Sequence, residues 1–142
     1  MDNDSLPLTK KFDFTCDPAG SDDNYIYFNP NLFFTPHKNP FLSDTRYNDI
    51  EFGYHEKLLI NSIFKIPAGY TIDAIPKNAT MMMPDSSISF KRTVNQQDGV
   101  IVLHYAVNYK KTLFFKENYA DLHEFYKKMY EMLNGQIVLK KS

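Results

Sequence analysis

The chain has 142 residues, 43% of them hydrophobic, 15% aromatic and 23% charged, a length and balance that suit one globular domain burying roughly 70% of its unfolded surface. Sixteen basic residues face seventeen acidic ones for a formal charge of -1, so no long-range field draws the chain to nucleic acid or to anionic lipid. A single cysteine, Cys16, excludes an internal disulfide, and a domain with an adequate core needs none in either redox compartment.

Residues 1–24 read as a leader or linker. Turn signals dominate it, with Asp17-Pro18, Gly20 and the run Ser21-Asp22-Asp23-Asn24, and only the alternation around Lys11-Phe12-Asp13-Phe14-Thr15 suggests a short edge strand. The start MDNDSLPLTKK has neither the basic opening nor the apolar stretch of a signal peptide, and nowhere is there a run long enough to span a bilayer as a helix. The chain is expected to be either cytosolic or a piece of a longer exported protein.

A single domain is expected over 25–142. Tyr25 to Phe34 carries β-branched and aromatic residues around Asn29-Pro30-Asn31, a pattern of two short strands broken by a turn. Pro36 and Pro40 then bracket an irregular segment reaching Asn48. From Tyr54 to Ile66 the even positions Tyr54, Leu58, Ile60, Phe64 and Ile66 are apolar, with His55, Lys57, Asn61 and Lys65 opposite, so one face of a long strand should meet the core. Pro67-Ala68-Gly69 makes a turn and Tyr70 to Ala74 resumes the alternation.

Asp98-Gly99 between two alternating runs predicts a two-residue hairpin turn, which needs positive φ at both positions. Counting outward pairs Gln97 with Val100, Val94 with Leu103, Phe90 with Val107 and Ile88 with Tyr109. Thr93 opposite His104 and Ser89 opposite Asn108 fall on the other face, so turn chemistry and hydrophobic pattern select the same register. After Lys110 the period changes. Leu122, Phe125, Tyr126, Met129 and Leu133 form a helical stripe over about 118–134, with Asn118 as the expected cap and Asn134-Gly135 as the end. Gln136 to Lys140 is expected to form a last short strand.

The reactive side chains form no recognisable constellation. Cys16 lies beside Asp17-Pro18 without a nearby base to stabilise a thiolate. His37, His55, His104 and His123 lack the spacing of a zinc site, Asp22-Asp23-Asn24 lacks the alternating oxygens of a calcium loop, and Glu117, Asp121 and Glu124 suit the positive end of a helix. No catalytic, cofactor-binding or metal-binding residue is assigned, and no cofactor. The ten tyrosines and twelve phenylalanines could form a sugar platform but are better explained as core. Met81-Met82-Met83 fits a strand buried on both faces better than an adaptable binding surface.

Three stretches together carry a resemblance: NPNLFFTPHKNPFLSDTRYNDIEFGY from Asn29, IPAGYTIDAIPKN from Ile66, and ENYADLHEFYKKMYEMLNGQIVLKK from Glu117. They resemble the C-terminal domain of unknown function that follows a transglutaminase-like domain in large exported bacterial proteins. The resemblance covers about 25–141. It implies a mostly β fold, an antiparallel β-sandwich of Ig-like or Greek-key type with one C-terminal amphipathic helix. It also implies a non-catalytic accessory role beside the transglutaminase-like domain, whose Cys, His and Asp would perform any acyl transfer or proteolysis, and a periplasmic or cell-surface location. Cys16 precedes the matched region and inherits nothing from that triad. Phe33, Phe34 and Phe41, in a proline-bounded segment, are the candidate interdomain contacts, against the alternative that they plug the end of the sandwich. A glycan- or peptide-binding module is the competing function.

Overall fold

The computed structural model describes Asp13 and residues 20–32 and 38–142. Among these residues ten strands and one α-helix follow in chain order: β1 (Gly20–Ser21), β2 (Tyr25–Phe28), β3 (Ile50–Glu51), β4 (Glu56–Lys65), β5 (Tyr70–Ala74), β6 (Ala79–Met82), β7 (Ile88–Gln97), β8 (Val100–Tyr109), β9 (Leu113–Phe114), α1 (Tyr119–Leu133) and β10 (Ile137–Lys141). They form two antiparallel four-stranded sheets, ordered β1-β2-β10-β5 and β4-β8-β7-β6, with β3 and β9 as a separate two-stranded pair. The fold is therefore mostly β, antiparallel, with one helix near the C-terminus.

The β7–β8 hairpin has the register that its turn and its alternation require. Gln97 faces Val100, Val94 faces Leu103, Phe90 faces Val107 and Ile88 faces Tyr109, while Asp98 and Gly99 turn at φ of 49° and 75°. An L residue other than Asn or Asp is strained there, which is why this pair stands at the tip. Pro67 to Gly69 also turns as expected, with the Tyr70 amide donating to the Pro67 carbonyl at 3.2 Å and Gly69 at φ 82°.

Several elements differ from the pattern reading. The long strand begins at Glu56, and Tyr54 is 67% exposed outside it. Its other face is less polar than alternation implied, since Leu59 and Ile63 are 58% and 69% exposed. Met81-Met82-Met83 is not buried on both faces: β6 is a four-residue edge strand, Met82 points outward and Met83 is buried. Asn118 makes no side-chain cap. A 3-10 turn, Lys116–Asn118, leads into α1 instead, and the Lys116 amide donates to Asp49 Oδ1 at 2.9 Å from far along the chain. Gly20–Ser21 pairs with β2, so the first sheet starts before Tyr25. Of the two strands foreseen between Tyr25 and Phe34, only β2 lies among the described residues, and the Lys11–Thr15 strand falls outside them apart from Asp13.

The inner face of the β7–β8 hairpin has two covers. Toward Tyr109 it meets α1, whose buried stripe is Tyr119, Leu122, Phe125, Tyr126, Met129, Tyr130 and Leu133. Toward the hairpin tip it approaches β2 and β10, where Phe28 packs on Phe64 at 5.1 Å between ring centroids. β10 is the inner strand that joins β2 to β5, with Ile137 and Leu139 buried. A chain segment of five residues thus closes the first sheet from the far end of the sequence.

Candidate functional site

Among the described residues no group of three or more His, Cys, Asp and Glu side chains could hold a metal ion. His104 lies outward on β8, with its Nδ1 2.5 Å from the accepting Asn61 Oδ1 on β4. His55 is exposed just before β4, and His123 on α1 sits 3.9 Å from Asp44. Cys16 and His37 lie outside the described residues. Asp22 accepts from the amides of Asn24 and Tyr25 at 2.8 and 2.7 Å, which makes it the pivot of a turn.

Several buried polar side chains bond within the fold, while among the described residues Asn31 Oδ1 and the Tyr105 hydroxyl are buried without a hydrogen-bond partner. Tyr126 donates to the Tyr109 hydroxyl at 3.1 Å, and burial first, then the neighbouring phenol, pushes the Tyr126 hydroxyl far above the ordinary tyrosine range. Burial likewise raises Tyr109 and pushes Tyr130 up to about 12. Phenols held so strongly protonated are poor general bases near neutrality. Arg92 is 7% exposed and donates through Nε to the Lys77 carbonyl at 2.8 Å and through Nη1 to the Met132 carbonyl at the end of α1. That contact sets a cation against the negative end of the helix dipole. It also explains Gly135, where an added Cβ would meet Arg92 Nη1 at 3.3 Å and Pro76 Cβ at 3.4 Å.

Of the three candidate interdomain phenylalanines, Phe33 and Phe34 lie outside the described residues. Phe41 is 6% exposed and meets Tyr126 edge-on at 4.6 Å, with Phe52 and Tyr119 also edge-on at 6.3 and 6.2 Å. It fills the end of the core beside α1. Most aromatic side chains near it are similarly buried, whereas Tyr25 and Tyr27 stack at 6.0 Å near the edge of the first sheet.

A concave surface lies at the other end. A cleft of about 320 Å³ opens between β2 and the edge strand β4, lined by Ile26, Phe28, Phe64, Ile66, Ile101 and Leu139, with Ile63 and Lys65 at its lip. Its walls are apolar because both sheets turn their core faces toward it, and the sheets splay there with no helix between them. A smaller hollow of about 190 Å³ lies between Met81–Pro84 and the α1 side chains Asp121, Glu124, Phe125 and Lys128. Sequence reasoning missed the cleft. Its residues are ordinary core positions in the alternation, and only the separation of two strands remote in sequence exposes them.

The sequence matches DUF3858, described as a domain of unknown function with a solved structure, over residues 24–139. The chain belongs to this family. A crystal structure of a "putative protease" from Parabacteroides distasonis has a similar fold, with a TM-score of 0.67 over 83% of this chain at 12% identity. At that identity the likeness shows the fold alone. The aligned region is 24% of that larger protein, so the chain corresponds to one part of it. No curated protein matches the sequence. Among the described residues no helix is long and apolar enough to cross a membrane.

Proposed function

We propose that this DUF3858 domain is a non-catalytic accessory module of a larger transglutaminase-like protein, packing on the catalytic domain and supporting its substrate cleft. The observation that carries the reading is one of scale: a domain-sized family match whose fold recurs as 24% of a much longer chain described as a "putative protease". The chemistry of the described residues is in keeping with it. Tyr109, Tyr126 and Tyr130 are held protonated by burial, and Arg92 is spent on backbone carbonyls. On this reading the parent protein is exported to the periplasm or cell surface, and its acyl-transfer or proteolytic groups lie in a neighbouring domain.

The test is removal of residues 24–139 from the parent protein. The expected result is a lower Tm of the catalytic domain together with a narrowed or shifted peptide substrate range. A catalytic domain unchanged in Tm, turnover and substrate range would overturn the proposal.

A further inference from the structure

The outer face of the β4-β8-β7-β6 sheet differs from the rest of the surface. Its side chains are Lys57, Leu59, Asn61, Ile63 and Lys65 on β4, Val100, Val102, His104, Ala106 and Asn108 on β8, Ser89, Lys91, Thr93, Asn95 and Gln97 on β7, and Thr80 and Met82 on β6. None is a carboxylate, although the chain has seventeen acidic residues. Leu59 faces Ala106 and Ile63 faces Val102, so an apolar strip runs along the sheet margin, bounded on β4 by Lys57 and Lys65. β4 is an edge strand of ten residues, and among the described residues no other strand pairs with its free side. Beneath that side lies the apolar cleft beside the packed rings of Phe28 and Phe64.

We propose that β4 captures an extended protein segment by strand addition, and that the segment carries carboxylates at both ends and apolar residues between them. An added strand takes main-chain hydrogen bonds from the free edge and specificity from alternate side chains on the two faces. Antiparallel to β4, its outer-face positions would read acidic, apolar, polar, apolar and acidic, opposite Lys65, Ile63, Asn61, Leu59 and Lys57 in turn. The residue opposite Phe64 would point inward and fill the cleft. This occupant goes beyond the accessory role, since it requires only the edge, the strip and the cleft.

A second copy of the chain fits less well. The two-fold antiparallel register centred on Asn61 sets Leu59 against Ile63 but Lys57 against Lys65 at both ends, and like charges directly opposite are destabilising. The register centred on Ile60 sets Leu59 against Asn61 and loses the apolar match. Lysines at an edge do guard against self-pairing, but Lys91 lies on an inner strand and extends the same positive frame.

The experiment uses the full chain, isotopically labelled, titrated with the peptide Glu-Leu-Val-Ser-Thr-Ser-Val-Ser-Glu and with the same peptide bearing Lys at both ends. Amide shifts confined to β4 and the cleft are expected for the acidic peptide, with the basic peptide binding roughly tenfold more weakly. The double variant Lys57→Glu with Lys65→Glu, both exposed and so compatible with folding, should reverse that preference. Shifts absent from β4, a preference unmoved by the double variant, or a dimer seen by sedimentation whose β4 amides are protected from hydrogen exchange would each overturn the proposal.

Discussion

One hairpin supports both ends of this molecule, and the two ends are finished differently. At the Tyr109 end α1 presses an aromatic stripe onto the sheet, with Tyr119 and Tyr126 edge-on to Phe41, and Phe52 edge-on to Phe41 and Phe114. At the tip end the cover is a second sheet, which meets the first through Phe28 and Phe64 and leaves a cleft beside them. A helix can settle its whole stripe into the sheet, whereas two twisted sheets diverge toward their corners. The closed end holds the fold together, and the open end is where apolar surface remains for a partner.

The largest test of that contrast is Phe41→Ala. Phe41 is 6% exposed at the closed end, so its loss should cost about 3–4 kcal/mol from transfer and cavity terms together. Phe28→Ala at the open end should cost clearly less, because Phe28 is only half-buried and already borders a void. Urea unfolding of both variants measures the difference. Equal losses would remove the distinction between a closed and an open end.

Next in size is Arg92→Met, which keeps most of the volume but removes the donors to the Lys77 and Met132 carbonyls. Two backbone acceptors then lose a charged partner, and a loss of about 2 kcal/mol is expected. Hydrogen exchange should show where it falls: the last turn of α1 should open first, ahead of the hairpin tip.

Asp85 gives a smaller and pH-dependent effect. It lies in the turn between β6 and β7, where it accepts from the Ser87 hydroxyl at 2.5 Å and the Ser87 amide at 3.0 Å, with Lys111 3.7 Å away. The Ser87 hydroxyl is the main reason its carboxyl titrates below the ordinary range, and Lys111 adds to it. A depressed folded value means this stability is present above the unfolded carboxylate value of about 4 and is lost as pH falls through the folded one. Asp85→Asn should cost about 1 kcal/mol at neutral pH, because the site is partly exposed. The cost should shrink as pH falls below about 4 and the carboxyl protonates, as urea unfolding of both proteins at stepped acid pH will show.

The parts of this contrast that were legible in the sequence are the parts encoded locally. Asp98-Gly99 and the alternation around it select one hairpin register, and Leu122 to Leu133 selects a helix, because each signal lies within a few residues of what it specifies. Membership of β10 in the sheet between β2 and β5 is another matter, since it joins residues more than sixty positions apart. The start of the helical segment was illegible for the same reason: the Lys116 amide is held by Asp49 from far along the chain, while Asn118, the expected cap of α1, makes no side-chain cap. Phe41 lies in a segment whose prolines signalled a loop, and a loop signal does not tell whether an aromatic ring turns inward or outward. The cleft is least legible, because it is a gap between two well-patterned strands rather than a pattern of its own.

The smallest stability effect is expected at the position where the two ends differ most. Ile63 is 69% exposed beside the cleft lip, and exposed substitutions away from special features usually stay within about 0.5 kcal/mol. Ile63→Ser should therefore leave the urea midpoint nearly unchanged, in contrast to Phe41→Ala. If the exposed strip is a recognition surface, the same substitution should sharply reduce the β4 amide shifts caused by the acidic peptide, because the serine removes one of the two apolar contacts that β4 gives the strip. A variant as stable as the parent that also binds the peptide as well as the parent would mean that exposure at this edge has no recognition role. A variant that loses stability like Phe41→Ala would mean that the edge belongs to the core after all.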